Sequence, residues 1–258
     1  MAEVTHNPLG AQFRTESIKI RGSAVLIAVF AAPVAMLVAG ILDLVQMATK
    51  YNIPASALPW RDVYGAFWVP WAAAILPLLT SFYATSLVNL EHTGNHWEQL
   101  RTYPVQQWGF FVSKMVYGAC LAGLSTALYS VGWLLVWIAL SKGLAGLHLT
   151  AILAAASRAW FASWLLIPVQ TWISAKIRGT GVPLLITVIL MVIGLALLDA
   201  DSKARYVYPW TLCTYTMDLR GADHNLLLPA IVGALGGIAG AWLVSWRLGR
   251  EKGLAPVF

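Results

Sequence analysis

GSAVLIAVFAAPVAMLVAGIL, residues 22–42, carries no charged side chain. At ~1.5 Å of rise per residue, a helix needs about 20 apolar residues to cross a hydrocarbon core ~30 Å thick. This stretch meets that length. Water is absent at that depth, so a spanning segment must satisfy its own backbone amides and carbonyls, which selects helices over open strands. The alternating segments of about ten residues expected of a membrane barrel do not occur. The run also exceeds the about 7–15 apolar residues of a signal-peptide core, and no cleavage site precedes Asp43, so it reads as a retained span.

The rest of the chain continues the pattern. Over 258 residues, 59% are hydrophobic and only 11% charged, and the mean hydropathy is +0.70. Further apolar runs place spans near 63–86, 109–140, 149–174, 181–198 and 226–247, six in all. The expected fold is an all-α integral membrane protein forming a single transmembrane domain over 1–258. An even number of spans puts both termini on one side. With the N-terminus inside, Arg14, Lys19, Arg21, Arg101, Lys114, Lys176, Arg178, Arg247, Arg250 and Lys252 fall inside, and Lys50, Arg61, Lys142, Lys203, Arg205 and Arg220 outside. That asymmetry predicts cytoplasmic termini. The net charge of +6 therefore reflects orientation in the bilayer, since no soluble basic surface with stacking aromatics exists to bind nucleic acid. Cys120 and Cys213, far apart, define neither a disulfide framework nor a metal site.

Four polar segments flank or interrupt the spans. Residues 8–21 set Leu9, Phe13, Ser17 and Ile20 at helical spacing opposite Arg14, Lys19 and Arg21, the pattern of a helix lying in the inner interface. Residues 43–62, with Pro54 and Pro59, read as an irregular outer loop. The longest outer segment, 199–225, carries Tyr206, Tyr208, Trp210 and Tyr215, aromatics suited to anchoring a re-entrant or surface-lying turn. The polar insert between the second and third spans is different. Over 89–103, Leu90, Gly94, Trp97 and Leu100 line one side of a helix, and His92, Asn95, His96, Glu98, Gln99 and Arg101 the others. Pro104 should end it, and Lys114 should reach back to the interface from the start of the third span.

The order Glu91…Asn95-x-Trp97-x-x-Leu100…Pro104-Val105, followed by Lys114, resembles the cytoplasmic segment of type 2 ABC exporter permeases. It is most similar to the branch that exports lantibiotics and bacitracin-like peptides for self-immunity. The resemblance takes in Glu16-x-x-Lys19-x-Arg21 before the first span, Trp172-Ile173-Ser174 with Arg178 after the fourth, and Tyr208-Pro209-Trp210 in the last outer loop. It implies a permease subunit of a bacterial inner membrane whose 89–104 helix is a coupling helix docked on a separate ATP-binding subunit. Trp97 and Leu100 would anchor that helix, Glu91, Asn95 and Glu98 would contact the ATPase, and Arg101 and Pro104 would complete the segment. Phe13, Glu16, Lys19 and Arg21 would belong to the interfacial helix. A second permease chain, identical or homologous, would complete the channel. The cargo implied is a peptide antibiotic or other amphiphile, removed from the membrane for immunity or resistance. Gly94, which weakens a helix by about 1 kcal/mol relative to Ala, and the scarcity of Lys in the segment depart from the family pattern.

No Gly-Lys dipeptide is present, hence no loop of the G-x-x-x-x-G-K-[ST] type to cradle ATP phosphates. The chain is not expected to be an enzyme or to hold a cofactor; ATP and magnesium would bind in the partner. His92 and His96 share metal-ligand spacing but lack the Glu of H-E-x-x-H, so a plain polar face is the simpler reading. Gly123-x-Ser125 reads as small-residue helix packing. Arg158, about nine residues into the fourth span, is a costly intramembrane charge. It either faces a substrate pathway or snorkels outward, with Asp43 as its potential partner. The rival readings are an energy-independent secondary transporter, which would need intramembrane carboxylates or histidines as relays, and a membrane scaffold.

Overall fold

A computed structural model describes residues 8–21, 23–93, 107–141, 149–200, 203–216 and 226–250. Its elements are α1 (Pro8–Ile20), α2 (Ala24–Tyr51), α3 (Trp60–Pro70), a π-helical segment (Trp71–Ile75), α4 (Leu76–Thr93), α5 (Gln107–Ser141), α6 (Leu149–Ser163), α7 (Leu166–Lys176), α8 (Gly181–Asp199), α9 (Pro209–Tyr215) and α10 (Leu227–Arg250). Single-turn 3₁₀ helices occupy Ala55–Ala57 and Lys203–Tyr206. No strand occurs among the described residues. Six stretches are long and apolar enough to cross a membrane: Ala24–Tyr51, Trp60–His92, Trp108–Leu140, Leu149–Lys176, Gly181–Asp199 and Leu227–Arg250. The all-α, six-span architecture expected from the sequence is the one found.

The boundaries differ in informative ways. The first span does not end near Asp43. Nothing there breaks a helix, and α2 runs on to Tyr51, about 42 Å in all. It stops where Asn52 adopts a left-handed conformation (φ 52°) and its amide turns back to the Ala48 and Thr49 carbonyls. The expected loop over 43–62 thus shrinks to the few residues between Tyr51 and Trp60. Span two is a composite. Pro70 lacks the amide a helix interior needs, and the helix widens into a π turn directly after it. Span four is broken at Trp164–Leu165. Pro168 has no N–H for the Trp164 carbonyl, which instead accepts from the Ile167 amide at 3.3 Å.

Span six closes onto that break. A Cβ built on Gly233 would lie 2.4 Å from the Ala162 Cα, and one on Gly237 2.7 Å from the Trp164 carbonyl carbon. These glycines, four residues apart, let two backbones touch, as small-residue stripes do in membranes. Gly123 admits the Trp160 indole in the same way, and the indole N–H donates to the Ala119 carbonyl at 2.8 Å.

The core away from α1 is aromatic. Trp71 stacks on Tyr129 with centroids 4.1 Å apart. Trp60 meets Trp133 and Trp137 edge-on. The Tyr129 hydroxyl donates to the Phe67 carbonyl at 2.7 Å. The aromatics of the last outer segment behave differently from interface anchors. Trp210 and Tyr215 are buried on α9, a short helix tucked against α6 and α8.

Candidate functional site

Arg14, Lys19, Arg21, Lys114, Lys176, Arg178, Arg247 and Arg250 gather at one end of the bundle, hereafter the basic end, with Glu16 and Glu91. Lys50, Arg61, Lys203 and Arg205 lie at the opposite end with Asp43, Asp62 and Asp199. The basic end is built around Lys114, in the third turn of α5. Its side chain is 1% exposed. The ammonium donates to Glu16 Oε1 of α1 (2.9 Å), to Glu91 Oε1 of α4 (3.0 Å) and to the Leu87 carbonyl (2.8 Å). Three donors meet three acceptors, the full capacity of a lysine. Glu91 also accepts from Lys19 of α1 at 2.5 Å. The Phe110 ring lies 4.5 Å from the Lys114 nitrogen, within cation–π range. Two carboxylates and two ammonium groups make the cluster neutral as a whole, which is how such charges tolerate burial.

Lys114 therefore does not snorkel to the interface; the carboxylates bracketing it supply inside the protein what the headgroups would have supplied outside. The inward face of α1 likewise differs from expectation. Glu16 and Ile20 are buried and Phe13 and Ser17 only half-buried, because the helix docks on α5 through its carboxylate. Arg21 is exposed.

The last turn of α4 is held from its other side as well. His92 Nε2 lies 3.1 Å from the Ser174 carbonyl of α7, and Asn89 Oδ1 accepts from the Gly179 amide at 3.1 Å. One turn deeper, Gln170 of α7 donates through Nε2 to Thr85 (3.0 Å) and to the Pro183 carbonyl (3.1 Å), and accepts at Oε1 from Thr187 (3.0 Å). Ser174 donates to the same Thr85 hydroxyl at 2.9 Å. Spans two, four and five are thereby stitched together.

Residues 89–93 are continuous with span two rather than the start of a separate helix. Glu91 is 1% exposed and turned into the ion cluster, so it does not stand on an exposed docking face. Burial against α1 and α5 is the reason. Asn95, Trp97, Glu98, Leu100, Arg101 and Pro104 lie outside the described residues. The sequence picked out Glu16, Lys19, Glu91 and Lys114 separately without joining them. It missed Thr85, Gln170 and Thr187, for which a primary amide in an otherwise apolar span was the available signal.

A model of the ABC-2 family transporter proteins matches residues 12–194, from α1 through most of α8. The chain belongs to the ABC-2 transporter family. It is a multi-pass transmembrane permease, and permeases of this family are transport subunits that normally work with an ATP-binding subunit. No curated protein matches the chain. The matched region contains every member of the ion cluster and of the Gln170 network.

At the opposite end this ABC-2 permease has an open-sided cavity of about 580 Å³, bordered by Asp43, Arg61, Asp62, Asp199 and Arg205 over a floor that includes Tyr64 and Val69. Asp43 of the expected pathway pair lines it; Arg158 is not among its lining residues. The two make no ion pair with each other among the described residues. Arg158 is half-buried, within electrostatic reach of Tyr64. The Cys213 thiol on α9, fully buried, is pushed up to about 12 by desolvation.

Proposed function

We infer that this permease exports an amphiphile, a peptide antibiotic being the leading candidate, using ATP hydrolysed by a separate subunit. The basic end faces the cytoplasm of a bacterial inner membrane, with both termini inside. Two permease chains, identical or homologous, pair with two ATPases that bind ATP and magnesium. The segment 89–104 forms the coupling contact: Trp97 and Leu100 anchor it, and Asn95, Glu98 and Arg101 meet the ATPase.

One observation carries this reading. The turn from which the segment departs is fixed on both flanks, by Glu91 to Lys114 and Lys19 and by His92 and Asn89 to the end of span four. A push on the segment is thus delivered to α1 and to spans two, three and four together. A solvated connector has no need of such an anchorage. Glu91 acts here as a positioning residue, holding the turn rather than touching the partner. Asp43 and the outer cavity, whose rim carries both carboxylates and guanidinium groups, give a route for an amphiphilic cargo at the far end.

The test is affinity purification of the tagged protein from native membranes in mild detergent. A stoichiometric ATPase should co-purify and be lost when Trp97→Ala and Glu98→Lys are combined. In parallel, expression with that ATPase should raise the inhibitory concentration of a membrane-active cationic peptide. Recovery of the permease alone, in monodisperse form, would overturn the coupling assignment.

A further inference from the structure

A second concave surface lies at the basic end, on the outside of the bundle between the first turns of α5 and the last turns of α10. It is a groove of about 930 Å³ whose walls include Trp108, Val116, Ile238, Trp242, Trp246 and Arg250. Its indoles are unusually bare for their size: Trp108 is 47% exposed, Trp242 69% and Trp246 41%. Gly249 keeps the two helices close here, since a Cβ on it would sit 3.3 Å from the Trp108 backbone nitrogen.

The polar features of the groove are few and point to one chemistry. Arg250 lies at its membrane-boundary end, with its guanidinium 4.3 Å from the Trp246 ring centroid. Trp108 belongs to the first turn of α5, where a helix carries partial positive charge. Ser245 borders the groove, is 2% exposed, and its hydroxyl has no hydrogen-bond partner among the described residues. From Ile238 to Arg250 the groove follows α10 for about 18 Å. That is one leaflet: half of a hydrocarbon core ~30 Å thick, plus the headgroup boundary. An apolar trough one leaflet long, with its lining cation at the headgroup end and Trp242 flanking the tail region, is complementary to a single amphiphile bearing a negative head.

We propose that this groove is a binding site for an anionic glycerophospholipid of the leaflet on the basic side. Its phosphate lies against Arg250 and the α5 N-terminus, and an acyl chain runs past Trp242 toward Ile238. Ser245, by a change of χ1, becomes a donor to the ester or glycerol oxygens. The site is separate from the ion cluster and from the outer cavity. Its occupation would brace α10 against α5, two helices that otherwise touch here without a hydrogen bond or ion pair between their described side chains.

The experiment is native mass spectrometry of the protein exchanged into equal phosphatidylglycerol and phosphatidylcholine of identical chains, released from detergent at graded collision energy. Wild-type protein should retain phosphatidylglycerol preferentially. Arg250→Gln should cut the preference about fivefold, the worth of one cation at a membrane surface. Trp242→Ala should shorten retention of both lipids, and Lys50→Gln, at the far end, should change neither. All four proteins must elute as the same species, which is expected because the substituted side chains lie on the surface. Equal retention of the two lipids, or an unaltered preference in Arg250→Gln, would refute the site. So would efficient disulfide cross-linking of Trp242→Cys between two copies in membranes, which would mean that a second chain covers this face.

Discussion

Lys114→Met is the most discriminating change at the basic end. Methionine matches the length and volume of the aliphatic stem but removes three hydrogen bonds at once, to Glu16, Glu91 and the Leu87 carbonyl. Two carboxylates, 2% and 1% exposed, are then left with Lys19 as the only cation whose contact to either is described. Removing one partner of a buried ion pair costs about 3–5 kcal/mol. Lys19 is 29% exposed and relieves only Glu91, so the lower part of that range applies. The element that gives way is α1, whose contact with α5 runs through Glu16, while α4 and α5 remain embedded in the bundle. At ~1.4 kcal/mol per tenfold, about 3 kcal/mol raises the open population of α1 roughly 10²-fold. Hydrogen exchange of the α1 amides, followed by mass spectrometry in detergent or nanodiscs, reads this directly. Glu16→Gln added to Lys114→Met should recover part of the loss, giving a coupling of about 0.5–3 kcal/mol. Unchanged α1 exchange in Lys114→Met, or strict additivity in the pair, would refute the view that the cluster pins α1.

Gly233→Leu should prevent a stable fold or shift the thermal midpoint sharply, because the new side chain would meet the Ala162 backbone, whereas Gly65→Ala, with nothing within 4 Å of the new Cβ, should be silent. Fluorescence-detected size exclusion after heating separates the two. Gln170→Leu leaves Thr187 and Thr85 short of a partner and should lower stability by about 0.6–2 kcal/mol, measured by unfolding in mixed micelles. Cys213 should resist maleimide at pH 8 in the native protein, since burial holds its thiol up near 12, and react fully once unfolded; rapid native labelling would mean that α9 opens. Lys203→Cys should be labelled by an impermeant maleimide from outside intact cells and Arg14→Cys only after lysis; the reverse pattern would invert the orientation.

Much of the fold could be read from the chain because a bilayer leaves little choice. Apolar runs of span length dictated six helices, and all but the first, which runs on past Asp43, appeared within a few residues of their expected centres. The errors came where local chemistry had two outcomes. Asp43 looked like a span terminus, yet one carboxylate near the membrane boundary does not stop a helix, and α2 ends only at Asn52. Pro168 was visible in the sequence, but the break it permits is fixed by Gly233 and Gly237, sixty-odd residues away, and no local signal reports that contact. The site was legible as parts. Glu16, Lys19, Glu91 and Lys114 stood out as charges flanking spans, but a charge at a helix end reads equally as a headgroup contact or a protein contact. Only the docking of α1 on α5 decides between them. Thr85 and Thr187 gave no signal, since threonine in a span usually satisfies its own preceding turn.

The contacts that hold the helices together also limit what the chain can do. Span two is tied to four and five through Gln170, four is interlocked with six by backbone touching backbone, and three is joined to two and to α1 by charge. Phe67 of span two fills the notch at Gly40 of span one so closely that a Cβ there would sit 2.4 Å from the ring. Little slack remains for helices to slide past one another inside a single copy. Under the coupling proposed above, such a chain would turn as a lever, with the last turn of α4 as its short arm. The gap through which cargo passes would then open between two levers, and its width would be set by how far they rock apart rather than by any gate carried within one of them.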